Sequence, residues 1–284
     1  MDLIPVAGGE RVPMVGGGPA NTAKALARLG YATYFVGGIS SDEYGNAISE
    51  ELMQSGVDLS LAYRGDLPTA LAIATIDGNG MAKYEFELTG TSSFAFDQSW
   101  LPQGEPDVIH IGSVATLLEP GSSQLLAWAK EKSAPIVFDP NVRPSIEGNK
   151  EVYQRAVERW IDLASIVKLS EDDISWLYGD RNVIDDYLAR GVSLVIVTRA
   201  EKGLTAYGKD FAIEIPAVSV DLVDSVGAGD TIGAVIAEGV LRHGIKDLSG
   251  EILAGVLRRA TKAASITCSR AGANPPNLAE LGKL

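Results

Sequence analysis

The sequence of 284 residues has little of what several kinds of functional site require. It contains one cysteine, Cys268, and two histidines, His110 and His243. A disulfide within the chain is therefore impossible, which is typical of a reducing compartment. Two isolated histidines without neighbouring cysteines do not form a zinc site, and no G-x-S-x-G elbow points to a serine hydrolase. We expect these three residues to serve packing.

Positive charge and long apolar runs are also scarce. The 24 Lys and Arg residues stand against 37 Asp and Glu, for a net charge of −13. This composition disfavours a nucleic-acid partner, although an acidic protein can bind ATP through local donors and a metal. No run approaches the ~18 apolar residues of a membrane span, and no signal peptide leads the chain. We expect a soluble, cytoplasmic protein without a membrane partner.

What the sequence does contain is a regular alternation of apolar runs and amphipathic patterns. Near-continuous apolar strands separated by helices predict an α/β fold, with a mostly parallel sheet sandwiched by helices. The predicted strands are Thr33–Gly37, Val108–Ile111, Pro135–Asp139, Ser165–Leu169 and Ser193–Thr198. The predicted helices are Pro19–Leu29, Glu43–Gln54, Ser122–Lys132, Lys150–Leu163, Asn182–Arg190, Ala228–Arg242 and Ser249–Cys268.

Two hairpins interrupt this alternation. Thr69–Ile76 and Met81–Leu88 alternate in polarity on either side of an Asp-Gly-Asn-Gly turn, which is a strong hairpin signal. With Leu3–Val15 they predict a small sheet that serves as a lid, built from about 3–15 and 60–90, or else a mere edge hairpin. A second hairpin, Leu204–Tyr207 with Phe211–Ile215, belongs to the later part of the core. We expect a single domain over residues 1–284.

The segment Asp224–Asp230 is the most informative for chemistry. Gly227, Ala228 and Gly229 carry almost no side chain, so their backbone N–H groups can surround an anion at the start of a helix. Asp230 follows in the first turn, and an anion cradle beside a carboxylate suits phosphoryl transfer to an alcohol. A glycine-rich turn feeding a core helix, with Asp230 as an ordinary first-turn acid, explains the segment equally well.

A second glycine-rich segment, Gly16–Asn21, precedes another helix. Its glycines permit close approach of a ligand, and Asn21 offers a donor and an acceptor to a polyol hydroxyl. The spacing is not G-x-G-x-x-G, and no Walker A lysine follows any glycine cluster, so a dinucleotide-dependent oxidoreductase is disfavoured. Taken alone, the segment is a tight turn at a helix start.

Together the two segments resemble the two signatures of the ribokinase-like (PfkB) carbohydrate kinases. Further stretches agree, namely Lys168–Glu171, Val197–Gly203 and Arg270–Ala273. The sequences at Asp2–Pro5, Lys83–Phe86 and Asp139–Pro144 are most similar to those of fructokinases. The resemblance covers essentially the whole chain.

The resemblance implies a role for each matching residue. Asp230 is the general base, the backbone at Gly227, Ala228 and Gly229 is the anion hole, and Arg143 offsets charge on the transferring group. The residues implied in sugar binding are Asp2, Gly17, Asn21 and Asn141. Those implied in nucleotide binding are Thr198, Gly203 and Lys168, the last standing where the family usually has Asn. Glu171 is implied in holding Mg²⁺ through water, and Asp224 and Gly272 lie near a monovalent-cation loop. Without the resemblance, we expect Arg143 to pair with a surface acid and Asp139 to cap the loop after its strand.

The implied activity is an ATP-dependent sugar kinase that transfers the γ-phosphoryl group to a primary hydroxyl, most similar to a fructokinase. ATP, Mg²⁺ and in many members K⁺ are the implied cofactors, and a homodimer formed through the lid is the implied assembly. The alternatives are a 2-keto-3-deoxygluconate kinase, a ribokinase, or a catalytically silent sugar- or nucleotide-binding protein. The resemblance also implies a core strand about ten residues ahead of Asp2. We therefore expect the main sheet to lack its first strand. Either the true start of the protein lies further upstream and supplies this strand, or the sheet tolerates its loss.

Overall fold

The computed structural model describes residues 1–5, 11–76 and 82–284. The strands are β1 (Asp2–Pro5), β2 (Arg11–Met14), β3 (Gly38–Ser40), β4 (Tyr63–Gly65), β5 (Leu71–Ile76), β6 (Ala82–Glu87), β7 (Ile109–Gly112), β8 (Ile136–Asp139), β9 (Ile166–Ser170), β10 (Leu194–Thr198), β11 (Leu204–Gly208) and β12 (Phe211–Ile215). The helices are α1 (Gly18–Arg28), α2 (Glu43–Gln54), α3 (Gly121–Lys130), α4 (Lys150–Ile161), α5 (Glu171–Tyr178), α6 (Ile184–Ala189), α7 (Ala228–Asp247), α8 (Gly250–Cys268) and α9 (Leu278–Leu281).

The main sheet has the strand order β12-β11-β10-β9-β8-β7. Strands β7 to β10 are parallel, and β11 and β12 form the antiparallel hairpin predicted from the sequence. One face packs against α3, α4, α5 and α6, and the other against α7 and α8. Strands covered on both faces need apolar side chains throughout, which is why their sequences are near-continuous apolar runs.

The lid is a separate four-stranded sheet with the order β2-β1-β5-β6. β1 pairs antiparallel with β2 and parallel with β5, and β5 pairs antiparallel with β6. It shares no strand with the main sheet, so the edge-hairpin alternative is wrong. The predicted turn at 77–80 lies outside the described residues. The lid is also narrower than 60–90, because β4 pairs with β3 in a two-stranded sheet of its own.

The predicted strand Thr33–Gly37 is wrong in position. Only Tyr34 forms a bridge there, to Asp58, and the strand is β3. A Cβ on Gly38 would lie 1.8 Å from the Ser92 carbonyl oxygen, so only a bare backbone at this residue lets β3 pack against residue 92. No strand among the described residues pairs with the outer edge of β7.

Capping side chains fix the starts of α5 and α2. Ser170 caps α5 in a capping box with Asp173, whose backbone N–H lies 3.0 Å from the Ser170 hydroxyl. Asp42 caps α2 by accepting from the Gly45 N–H at 2.7 Å. α7 runs past the predicted end at Arg242 to Asp247, with a break of helical geometry at Gly244.

The three residues assigned to packing, His110, His243 and Cys268, are all half-buried in the fold. Burial lowers the pKa of His110 to about 3, so its imidazole is neutral, and it faces Gly233 of α7, where a Cβ would lie 2.7 Å from Nε2. Cys268 ends α8 as a free thiol. In the described part of the chain, no helix is both long and apolar enough to cross a bilayer.

Candidate active site

A cavity of about 980 Å³ lies between the lid and the end of the main sheet. The lid contributes Asp2, Tyr84 and Phe86 to its wall, and α1 contributes the Gly16–Asn21 turn. Of the residues predicted from the sequence, those that line it are Asp2, Gly17, Asn21, Asn141, Arg143, Lys168, Gly227, Gly229 and Asp230. Polar groups from segments more than 200 residues apart in sequence therefore meet in one concave site, as ligand pockets require.

The glycine-rich turn forms the start of α7. Gly227 is its N-cap with φ of 79°, a left-handed conformation that glycine adopts without strain. A Cβ at Gly227 would lie 2.7 Å from the Cβ of Ala273, so a side chain is excluded by space as well. The first N–H groups of a helix have no acceptor within the helix, and the dipole favours negative charge there. The turn can therefore hold an anion.

Asp230 lies in the first turn of α7 and is only 8% exposed. The Asn21 side-chain amide donates to its Oδ2 at 2.8 Å, and its Oδ1 lies 3.1 Å from the position of a Cβ on Gly18. Burial, with a smaller contribution from the Asp139 charge, raises the pKa of Asp230 to about 6, although the hydrogen bond from Asn21 acts in the opposite direction. A carboxylate with one oxygen held and a raised pKa is suited to accept a proton near neutral pH.

Lys168 and Asp139 form a buried ion pair beneath the cradle. Lys168 Nζ lies 2.6 Å from Asp139 Oδ2, and the side chains are 5% and 3% exposed. Burial alone would lower the pKa of Lys168, but Asp139 raises it overall, so the ammonium stays charged. The Nζ atom also lies 3.4 Å from the position of a Cβ on Gly229. A fixed positive charge therefore sits next to the anion cradle, and Asp139 is a partner of Lys168, not a loop cap.

The polar residues of the opposite wall converge around α1. A Cβ at Gly16 would lie 2.1 Å from Asp2 Oδ2, which shows that the Asp2 carboxylate packs on the bare backbone of this turn. Asn141 has a positive φ of 43°, and its Nδ2 lies 3.2 Å from the position of a Cβ on Gly18. Asp2, Asn21 and Asn141 thus present acceptors and donors to the space in front of Asp230.

The loop that carries Asn141 and Arg143 is fixed by residues that the sequence analysis missed. Asp173 Oδ1 accepts from the Val142 N–H at 2.8 Å, and the Tyr153 hydroxyl accepts from the Arg143 N–H at 3.0 Å. The Arg143 guanidinium donates back to the Asn141 and Val142 carbonyls and forms no ion pair among the described residues. Asp173 could have been found from its capping-box spacing to Ser170.

The comparisons with known proteins agree with this geometry. Residues 5–280 match the model of the pfkB family of carbohydrate kinases. The chain belongs to this family. It is 33% identical to a fructokinase of Rhizobium leguminosarum bv. trifolii over 79% of this chain and 71% of the relative. It is 30% identical to fructokinase-1 of Oryza sativa subsp. japonica, with 100% and 94% covered.

Solved structures have the same fold. A fructokinase from Vibrio cholerae O395 with fructose, ADP and calcium bound is 25% identical and superposes with a TM-score of 0.84. The match covers 99% of this chain and 94% of that chain. A fructokinase from Xylella fastidiosa superposes with a TM-score of 0.90 at 24% identity, with 99% and 93% covered. The ribokinase-like α/β fold and the assignment as a sugar kinase are thereby confirmed.

Six other predicted residues are not part of the cavity lining, namely Ala228, Thr198, Gly203, Glu171, Asp224 and Gly272. Thr198 ends β10 and donates to the Leu169 carbonyl at 3.4 Å, and Gly203 has φ of 96° just before β11. Glu171, the first residue of α5, is exposed at the carboxyl end of β9. Thr198 and Glu171 lie at the carboxyl ends of the parallel strands β10 and β9, and Gly203 precedes the antiparallel β11, so these three lie along the same edge of the sheet.

Metal ligands of the kinase would have to come from few protein groups. No cluster of three or more His, Cys, Asp or Glu residues occurs in the ranges that the structure describes. Mg²⁺ in phosphoryl-transfer sites is bound through one or two carboxylates plus substrate phosphates and water, so it needs no such cluster. The exposed Glu171 carboxylate fits this kind of site.

Asp224 and Gly272 are brought together behind the cradle. The Gly272 N–H donates to Asp224 Oδ2 at 2.9 Å, and the Val226 N–H donates to Asp224 Oδ1 at 3.0 Å. One carboxylate therefore ties the loop before α7 to the loop after α8. The same two loops contact each other where Gly227 meets Ala273, so the position of the cradle depends on this tie.

Proposed function

We propose that the protein is an ATP-dependent fructokinase, which transfers the γ-phosphoryl group of ATP to a primary hydroxyl of fructose. The observation that carries the proposal is the buried Asp230 carboxylate, placed between the glycine cradle and the polar wall formed by Asp2, Asn21 and Asn141. Phosphoryl transfer requires a proton acceptor for the alcohol and positive charge for the phosphate, and both are adjacent here.

The sugar hydroxyl gives its proton to Asp230 as its oxygen forms a bond to the terminal phosphorus of ATP and the bond to the leaving ADP oxygen breaks. Oδ1 is the acceptor in this proposal, because Oδ2 already accepts from Asn21. The backbone at Gly227, Ala228 and Gly229 stabilises charge on the transferring group. Lys168 and Arg143 add fixed positive charge on either side of it.

The sugar binds between the lid and α1 in this proposal. Asp2, Asn21 and Asn141 contact its hydroxyls, and the backbone at Gly17 lets the ring approach the turn closely. The aromatic rings of Tyr84 and Phe86 stack on each other at 6.2 Å and cover the cavity from the lid. A closed lid excludes water, which would otherwise compete with the sugar hydroxyl for the phosphoryl group.

The nucleotide occupies the adjoining edge of the main sheet, with Thr198 and Gly203 as its contacts and Lys168 directed at its phosphates. Glu171 holds Mg²⁺ through water, and the metal neutralises phosphate charge. A K⁺ ion near Asp224 and Gly272 would act on the cradle through the loop contact described above. The lid pairs with the lid of a second copy, in keeping with the exposure of Val12 on its outer strand.

Fructose is proposed because two relatives over 30% identical are named a fructokinase and a probable fructokinase, and a structure at 25% identity holds fructose with ADP. Ribose and 2-keto-3-deoxygluconate are the competing substrates. The test is a coupled ADP-release assay with ATP and Mg²⁺ over ketohexoses, aldopentoses, keto-deoxy acids and nucleosides, in K⁺ and in Li⁺ buffers. The highest kcat/KM should belong to fructose, with a fructose monophosphate as product. A higher value for another sugar would replace fructose, and binding heat without any phosphorylated product would favour a silent binding protein.

A further inference from the structure

Ser113 combines burial, backbone strain and a place in the cavity wall, and no role has yet been given to it. It follows β7 with a positive φ of 57° and is 8% exposed. Left-handed backbone is unfavourable for residues other than glycine and asparagine, and it persists where the surrounding structure imposes it.

The neighbours of Ser113 impose this conformation. A Cβ on Gly112 would lie 1.9 Å from the Asp139 carbonyl oxygen, so β7 and β8 are in close contact up to the residue before the turn. Beyond it, the Thr116 hydroxyl donates to the Ser113 carbonyl at 2.7 Å, and the Ser122 hydroxyl donates to the Thr116 carbonyl at 2.7 Å. The strained turn is therefore held from both sides.

The conformation directs the side chain of Ser113 to the reacting end of the cavity. The Ser113 Cβ lies 3.5 Å from the position that a Cβ on Gly18 would occupy. Asp230 Oδ1 and Asn141 Nδ2 lie 3.1 and 3.2 Å from the same position, so the three side chains meet there. The main-chain oxygen of Ser113 accepts a hydrogen bond, but within the described ranges its hydroxyl makes none. A hydroxyl next to the base is left available to a ligand.

We propose that Ser113 is a specificity-determining residue, whose hydroxyl bonds a sugar hydroxyl close to the one that is phosphorylated. The inference rests on the proposed sugar kinase activity and adds one contact to it. Because the bond is neutral and lies close to the reacting centre, its loss should lower kcat/KM by about 5- to 10-fold. The loss should depend on whether the sugar carries the partner hydroxyl.

The test compares the wild type, S113A and S113G on fructose and on a series of monodeoxyfructoses. S113A should lose about 5- to 10-fold in kcat/KM on fructose, and for one deoxy sugar the two enzymes should be equal. Equal activity on fructose, or the same loss on every analogue, overturns the proposal. S49A is the matched control, since Ser49 is also 8% exposed but lies in α2 outside the cavity wall, and its kcat/KM should be unchanged.

S113G separates the hydroxyl from the strain. It lacks the hydroxyl, as S113A does, but relieves the left-handed backbone, so its thermal midpoint should exceed that of S113A by about 2 °C. Its loss in kcat/KM should equal that of S113A, and wild-type activity in S113G would contradict the proposal. If the wild type phosphorylates no sugar, the proposed function fails by itself. Calorimetry then tests the Ser113 contact by the affinity for fructose. The affinity of S113A should be weaker than that of the wild type, and an unchanged affinity would overturn the proposal.

Discussion

At the residue scale, the pH dependence of turnover reports on the groups around Asp230. The base must be ionised, and burial raises its pKa to about 6, so kcat/KM should fall as pH decreases below about 6. Lys168 lowers the pKa of Asp230 and Asp139 raises it. We therefore expect Lys168→Met to move this acid limb to higher pH and Asp139→Asn to move it to lower pH.

Both variants break the same buried pair, which costs about 3–5 kcal/mol in either case. A general loss of structure would shift the two profiles alike or reduce activity at all pH values. Opposite shifts of the limb therefore identify an electrostatic effect on Asp230. The measurement is kcat/KM from pH 5 to 9 at a temperature where both variants are folded by circular dichroism. Shifts of the same sign would contradict the assignment of the limb to Asp230.

The buried charge of Asp230 should also reduce stability. Because its pKa is higher in the folded protein than in the unfolded chain, the stability linked to this carboxyl is complete below about pH 4 and is lost as pH rises through about 6. Asp230→Asn removes the charge, so its free energy of unfolding should exceed that of the wild type by about 1–3 kcal/mol at pH 8. Urea denaturation at pH 8 and pH 4 measures this, and a variant less stable than the wild type at pH 8 would refute it.

At the scale of elements, the cradle depends on how α7 begins. Gly227→Ala should lower kcat/KM at least ~10-fold, because the new Cβ meets Ala273 and displaces the N–H groups that hold the phosphoryl group. Gly179→Ala is the control, since Gly179 has φ of 64° with nothing within 4 Å of its Cβ position. Both variants should lose about 1 kcal/mol or more of stability from the positive φ. The measurement is steady-state kinetics together with unfolding curves for both variants. If Gly179→Ala lost as much activity as Gly227→Ala, the role of the cradle in holding the phosphoryl group would be contradicted.

The elements that the sequence predicts well are those with their own local signals. α2 has the predicted bounds, Glu43–Gln54, because Asp42 caps its start. The β11–β12 hairpin and the parallel strands follow from polarity and turn residues. α5 was missed, although the Ser170–Asp173 capping box marks its start. The position of β3 was missed because its pairing with β4 and the contact of Gly38 with residue 92 are both long-range.

The residues of the candidate site also divide into those that the sequence predicts and those that it does not. Asp230, Asn21 and the glycines lie in segments whose composition is unusual, and their partnership came from the resemblance to a family. Ser113 was not found, because its place depends on backbone conformation. Asp173 has a capping-box signal in the sequence, but its bond to Val142 joins distant segments and has none. A serine after a strand has no signal of its own in the sequence.

At the scale of the whole molecule, the cavity lies between two sheets that share no strand. Ligands that contact both walls should hold the lid against the main body, which favours the closed population. With fructose and a non-hydrolysable ATP analogue, amide hydrogen exchange should slow in β5 and β6 and stay unchanged in α4. Equal exchange in the lid with and without ligands would contradict the role of the lid in closing the site.

The central claim is that Asp230 removes the proton from the sugar hydroxyl. Its most direct test is product-resolved turnover of ATP and fructose by Asp230→Asn, with Asp210→Asn as the control, an exposed acid in the β11–β12 turn. We predict that Asp230→Asn lowers kcat by at least ~10²-fold, with fructose affinity retained, and that Asp210→Asn behaves as the wild type. Near-normal formation of fructose phosphate by Asp230→Asn would contradict the account.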